Sequence, residues 1–192
     1  LSNFFSKIPF LSGLGGKKKS AKSNVELQYD KALNLMENGN AEDAVEILEK
    51  IVDIAIMDPN YKNFGTDALK ILGELYETGK YSKCIVDVDL SKATQYYEKY
   101  TNLSKDGEMI YKLAQMLLDI QNFSKAITFF EKATECGIKA AYMNLGNIYE
   151  NGLNRVDQYG NKSDFVVPVD YEKAMSWYKK LADMGDTKAK SA

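Results

Sequence analysis

The chain has 192 residues, 45% of them hydrophobic and 27% charged, which suits one domain or a short repeat array with a real core. Its net charge of −2 is uneven: residues 1–23 carry five lysines and no acid, leaving −7 on residues 24–192. That acidic body argues against nucleic acid as the main partner, and the absence of histidine removes the commonest general base and metal ligand, so catalysis is disfavoured.

Residues 1–16 place Leu1, Phe4, Phe5, Ile8 and Leu11 at helical spacing, interrupted by Pro9 and ended by Gly13, Gly15 and Gly16. The lysine cluster that follows reads as a solvated linker, and a secretory signal does not fit because the basic cluster comes after the apolar run. A helical array is expected from Asn24, an N-cap candidate, with a first helix over about 25–38 presenting Tyr29, Ala32, Leu33, Leu35 and Met36 before Gly39. The second, over about 41–57, presents Ala44, Ile47, Leu48, Ile51 and Ile54 and stops at Asp58-Pro59. A third spans about 66–78, capped by Thr66 or Asn63, and leads through a loop at 80–88 into a fourth over about 90–103. The fifth (about 106–120) carries Ile110, Leu113, Ala114, Leu117 and Leu118. The sixth (about 123–136) carries Ala126, Phe129, Phe130 and Ala133, with Gly137 as a left-handed stop. The seventh (about 139–151) ends at Gly152; after a loop at 153–168 the eighth (about 170–184) ends at Gly185, and residues 186–192 read as the start of a ninth.

Two stretches repeat each other. ALKILGELYETG (68–79) aligns with AYMNLGNIYENG (141–152), pairing Ala68/Ala141, Leu72/Leu145, Gly73/Gly146, Tyr76/Tyr149, Glu77/Glu150 and Gly79/Gly152. Each is followed by a second related helix, DLSKATQYYEK (89–99) and DYEKAMSWYKK (170–180), which places Ala93, Tyr96 and Tyr97 on Ala174, Trp177 and Tyr178. Repeated amphipathic helix pairs bury their apolar faces only by stacking, so the expected fold is all-α, an α-α superhelix (solenoid) of about four helix-turn-helix repeats. The expected domain is 24–192, with repeats at about 24–58, 63–104, 106–137 and 138–185, preceded by a 1–23 extension.

These residues resemble the Sel-one-like repeat family, a branch of the tetratricopeptide repeat superfamily. Its pattern joins A-x3-LG-x2-Y-x2-G, a variable loop and a helix with K-A-x2-W/Y-Y-x-K-A. Repeats 2 and 4 carry it, with Val169, Asp170 and Tyr171 as the usual lead-in. Repeat 3 is closer to a plain tetratricopeptide unit, with Ala114, Ala126, Phe130 and Ala133 at that spacing, and repeat 1 (Ala32, Ala44, Leu48) follows it more loosely. Small residues at Gly73, Gly146, Ala93, Ala126 and Ala174 allow the helices of a pair to touch, and Tyr76, Tyr97, Phe130, Trp177 and Tyr178 are expected to fill the gaps between pairs.

The resemblance implies a non-enzymatic interaction module, a scaffold or adaptor that holds a protein or peptide on its concave face. The exposed positions of the first helices give the candidate groove: Lys70, Glu74 and Glu77; Tyr111, Gln115 and Asp119; then Met143, Asn147 and Glu150. Its acidic lean favours a basic or amide-rich partner. The alternative is a membrane-peripheral adaptor anchored through residues 1–23, where each lysine near an anionic surface is worth about 1 kcal/mol; otherwise Phe4, Phe5, Ile8 and Phe10 of that segment are expected to pack on the array, or on a neighbour's, as a cap or groove filler. Loop 153–168 is longer than its repeat-2 counterpart by 8 residues and is read as variation with or without a binding role. No catalytic, cofactor or metal residues are assigned: GLGGKKKS (13–20) lacks the phosphate-loop pattern, Asp87 and Asp89 sit at a helix entrance, and Cys84 has no activating partner. Cys84 and Cys136 are read as free thiols of a reducing, cytoplasmic setting, with a single disulfide as the alternative, and an oligomer through the open last repeat is compatible with the pattern.

Overall fold

A computed structural model describes residues 23–189. Among these residues, eight α-helices and two short β-hairpins fall into two compact units that divide at Leu103/Ser104. The fold is all-α and of the tetratricopeptide type, with consecutive helices packed on one another inside each unit. The expected docking or membrane role of the N-terminal extension falls on residues outside the described ones.

In the first unit, helix α1 (Asn24–Asn38) is opened by Ser23, one residue before the expected cap. The Ser23 hydroxyl accepts from the Glu26 N–H at 3.2 Å while the Glu26 carboxylate accepts from the Ser23 N–H at 2.8 Å. This reciprocal pair satisfies two orphan donors, which Asn24 could not do from inside the helix. Gly39 ends α1 with φ 81°, and the next N–H, of Asn40, reaches back to the Leu35 carbonyl. Helix α2 (Ala41–Met57) buries Ala44, Ile47, Leu48, Ile51, Val52, Ile54 and Ala55. Pro59–Tyr61 then forms a single 3-10 turn that runs straight into α3 (Lys62–Thr78). Helix α3 therefore starts four residues earlier than the sequence pattern predicts, and neither Asn63 nor Thr66 caps it. The Thr66 hydroxyl instead donates to the Asn63 carbonyl within the first turns.

The expected loop at 80–88 contains a two-residue hairpin, β1 (Lys80–Tyr81) against β2 (Cys84–Ile85). It is tied to the end of α1 through the Lys83 N–H and the buried Cys84 thiol, both directed at the Met36 carbonyl. Burial pushes the Cys84 thiol up, so it is held as an un-ionised packing group, whereas Cys136 of the second unit is exposed. Helix α4 (Leu90–Ser104) is capped by Asp89, whose carboxylate accepts from the Lys92 N–H at 2.9 Å.

In the second unit, α5 (Gly107–Asp119) is capped by Asp106, and a tight turn with Gln121 at φ 58° leads into α6 (Phe123–Glu135). Gly137 follows in the left-handed conformation, at φ 79°. Helix α7 (Lys139–Asn151) leads to a longer hairpin, β3 (Leu153–Val156) against β4 (Lys162–Val167), where a loop was expected. Helix α8 (Tyr171–Ala189) runs through Gly185. The predicted stop at Gly185 and the start of a ninth helix beyond it are therefore both corrected: residues 186–189 continue α8. A glycine costs about 1 kcal/mol inside a helix but does not by itself terminate one.

The internal repeat reappears as geometry, contact for contact. A Cβ built on Gly73 would lie 2.4 Å from the Tyr97 ring, and one built on Gly146 would lie 2.3 Å from the Tyr178 ring. The Asp89 N–H donates to the Tyr76 carbonyl at 2.8 Å and the Asp170 N–H to the Tyr149 carbonyl at 2.7 Å. The Lys92 ammonium lies 4.7 Å above Tyr76, and Lys173 lies 5.0 Å above Tyr149. Glycine is required at 73 and 146 because an aromatic ring occupies the space of a side chain. The expectation that the aromatics fill gaps between pairs is corrected by the same contacts. Tyr97 and Tyr178 lie on the glycine of their own pair, Tyr76 stacks on Tyr96, and Tyr142 meets Trp177 edge-on.

Candidate functional site

The predicted groove residues belong to two units, each with its own arrangement. On the first, Lys70 and Glu74 are exposed on α3, one turn apart. With Asp67 and Ile71 of the same helix, Tyr29 of α1 and Tyr81 of β1, they line a recess of about 280 Å³. Tyr29 is braced edge-on against Phe64, with ring centroids 5.4 Å apart. Burial, with Asp67 adding to it, pushes the Tyr29 phenol up to about 12; burial and then Glu74 and Asp67 push the Tyr81 phenol up. Both phenols are therefore protonated donors at neutral pH in a negative local field. Glu77 is placed differently: its carboxylate accepts from the Tyr97 hydroxyl at 2.6 Å and joins α3 to α4.

On the second unit, the Tyr111 hydroxyl of α5 accepts from the Gln115 amide at 3.2 Å and from the Asn144 amide of α7 at 3.1 Å. Tyr111 and Gln115 thus share one polar network, completed by a residue absent from the predicted set. Asp119 is exposed at the end of α5 and Met143 is exposed on α7. Asn147 and Glu150 converge on the Tyr178 hydroxyl, at 2.7 and 2.6 Å. One hydroxyl has one proton, and the carboxylate is the stronger acceptor. Glu150 therefore repeats the part played by Glu77.

Sequence reasoning missed Tyr29, Asp67, Tyr81 and Asn144. Asp67 was legible in principle, being three residues before Lys70 and seven before Glu74 on one helix face. Tyr81 was not, because its place depends on a hairpin that carries no turn signature. Among the described residues, no group of histidine, cysteine or carboxylate side chains is arranged to hold a metal, and no helix is long and apolar enough to cross a membrane.

The phenols couple the fold to alkaline pH. The hydrogen bond to Glu150 pushes the Tyr178 phenol up to about 12, as burial does for Tyr29. A phenol that ionises near 10 when unfolded and near 12 when folded stabilises the fold below pH 10. That contribution is lost as pH rises from about 10 to 12, because the unfolded chain then releases protons the folded chain retains. Thermal melts across this range should show stability falling, and Tyr178→Phe should fall less steeply than the parent protein. Identical slopes would remove the assignment.

The chain was compared with known proteins. A family model described as soluble NSF attachment protein, SNAP, matches residues 15–146, and a Sel1 repeat model matches residues 139–186. The second match covers the repeat that carries the Sel-one-like pattern most fully. No curated protein matches the sequence. Among 21 matching chains of solved structures is one titled "Crystal structure of MamA", 20% identical, covering 87% of this chain and 81% of that chain with a TM-score of 0.43. With one model matched over more than half of its length, the chain belongs to the soluble NSF attachment protein family of tetratricopeptide-type repeats, with a Sel1 repeat as its last helix pair.

Proposed function

We propose that the protein is a non-catalytic scaffold that holds a partner protein on the faces of the first helices of its pairs, the concave side in arrays of this kind. The recess between Tyr29, Asp67, Lys70, Glu74 and Tyr81 carries this reading. It is preformed by two packed helices and a hairpin, so a partner needs little rearrangement to use it. Two carboxylates against one lysine give it a net negative charge, and two aromatic faces stand beside them. A lysine or arginine side chain, offered by an exposed helix or extended segment of the partner, meets both demands: charge pairing with the acids and cation–π contact with a tyrosine.

Affinity capture with the full chain identifies the partner, whose binding is then titrated at low and high salt. Asp67→Lys/Glu74→Lys should weaken it by about tenfold or more, and salt should weaken it in the parent protein. Lys70→Glu should act in the opposite direction and tighten it. A partner whose affinity ignores all three substitutions binds elsewhere, and the assignment of this face is then wrong.

A further inference from the structure

The recess on α3 has two unpaired acids, and a cationic segment of the same chain lies within reach of it. The net charge of −7 on residues 24–192 falls wholly on the first unit: residues 24–103 hold fifteen acids against eight lysines, and residues 104–192 balance. In the recess, the Asp67 and Glu74 carboxylates make no ion pair or side-chain hydrogen bond among the described residues. Lys70, between them on the helix, pairs with neither. Beyond the effect of burial, Asp67 raises the Tyr29 phenol and Glu74 raises the Tyr81 phenol, so their negative field acts inside the recess. A tyrosine face beside an unpaired carboxylate suits an ammonium group.

The chain supplies four such groups shortly before α1, on Lys17, Lys18, Lys19 and Lys22, with no acid among residues 1–23. These lysines precede the described residues, and their reach follows from where α1 begins. Tyr29 is six residues beyond Ser23, about 9 Å along the helix. Lys17–Lys19 are four to six residues before Ser23, about 13 to 20 Å of extended backbone before the side chain is added. That length is enough to turn back along α1 and reach Tyr29. Lys22, one residue from Ser23, has too short a tether to do so.

We propose that the Lys17–Lys19 run of the chain's own N-terminal segment occupies the α3 recess and competes with the partner for it. The occupancy rests on the reading of this recess as a site for a partner's lysine or arginine. It needs no affinity beyond that of a free lysine peptide, because a segment tethered this closely has an effective concentration on the order of millimolar. A partner must displace the run. The recess is thus closed to weak cationic ligands and open to those that make further contacts on the same helices. Salt screens the contact, and neutralising the lysines relieves it.

Two measurements on the full chain test this. A zero-length carbodiimide, which joins an amine to a carboxylate in direct contact, should link Lys17, Lys18 or Lys19 to Asp67 or Glu74 within one chain. Mass spectrometry reads the link, and about 1 M salt should remove it. The variant Lys17→Gln/Lys18→Gln/Lys19→Gln keeps the length of the segment and alters no residue of the described fold. It should bind fluorescein-labelled Gly-Lys-Lys-Lys-Ser-Ala-Lys-Ser about tenfold more tightly than the parent in fluorescence anisotropy. Adding Asp67→Lys/Glu74→Lys to that variant should abolish the binding. If parent and variant bind the peptide equally, and both lose it on Asp67→Lys/Glu74→Lys, the run does not occupy the recess, while the recess stands as a cation site. If neither binds the peptide, both readings fall. Links that join two chains, or that reach only acids outside the recess, assign the segment elsewhere and overturn the proposal.

Discussion

Gly65→Ala is expected to destabilise the α2–α3 pair by about 2 kcal/mol, although it places the best helix former inside a helix. A Cβ at position 65 would lie 2.2 Å from the Cβ of Ala55 on α2. Carbon atoms in ordinary contact sit at about 3.5 to 4 Å, so more than an ångström must be recovered. Neither group can rotate away, because a Cβ is fixed by its backbone, and the two helices must move apart over a stretch that buries Ile51, Val52 and Ile54. Overpacking of this kind costs about 1 to 3 kcal/mol, placed here near the upper end, and the gain in helix propensity returns about 1 kcal/mol. Position 73 is a milder case, since the obstacle there is a ring that can tilt. The decisive variant is Gly65→Ala/Ala55→Gly, which moves the methyl from one helix to the other. It should recover much of the loss, giving a coupling energy of about 1 kcal/mol or more. Hydrogen exchange at the α2 and α3 amides reads the change locally in a chain of two units. Additive effects of the two substitutions would show that the helices do not meet at this point.

Gly65 also marks how far the sequence was legible. The repeat exposed Gly73 and Gly146 because each has a counterpart, but the ring over each was expected between pairs and not on the glycine of its own pair. Gly65 has no counterpart: its equivalent place in the fourth repeat is Ile138, outside α7. Its close contact arises from the 3-10 turn at Pro59–Tyr61, which extends α3 toward the N-terminus and brings a new residue onto α2. Helix identities followed from apolar periodicity because burial enforces it along every turn. The two hairpins did not, since Ser82 and residues 157–161 lack the Asn-Gly or Asp-Gly signal. They are held instead by distant partners, the Met36 carbonyl and the Gln121 side chain. The candidate groove was legible as a helix face, yet Glu77, Asn147 and Glu150 share that face with tyrosine hydroxyls from the next helix. Spacing reports which side of a helix a carboxylate is on and nothing about a hydroxyl arriving from elsewhere in the chain. The docking of the second hairpin was the least legible, because it needs Gln121 and Val156, 35 residues apart, in contact.

Tyr97→Ala should be the most damaging single truncation at the repeat contacts, costing about 3 to 5 kcal/mol. The Tyr97 ring is 2% exposed and rests where Gly73 has no side chain, so its removal leaves a cavity with nothing on the α3 side to fill it. The variant also deprives Glu77 of the Tyr97 hydroxyl. Tyr97→Phe keeps the ring and tests the hydroxyl alone, at about 1 to 3 kcal/mol for a hydrogen bond to a charged group. Tyr178→Ala supplies the internal control: the same ring-on-glycine contact and the same Tyr–Glu hydrogen bond, with the ring only half-buried. Apolar stabilisation scales with the area removed from water, so this second truncation should cost well under the first. Hydrogen exchange at α3 and α4 for one variant, and at α7 and α8 for the other, measures each loss in its own unit. Equal losses would mean that the shared Gly–Tyr–Glu geometry, and not the depth of burial, determines what each repeat contributes.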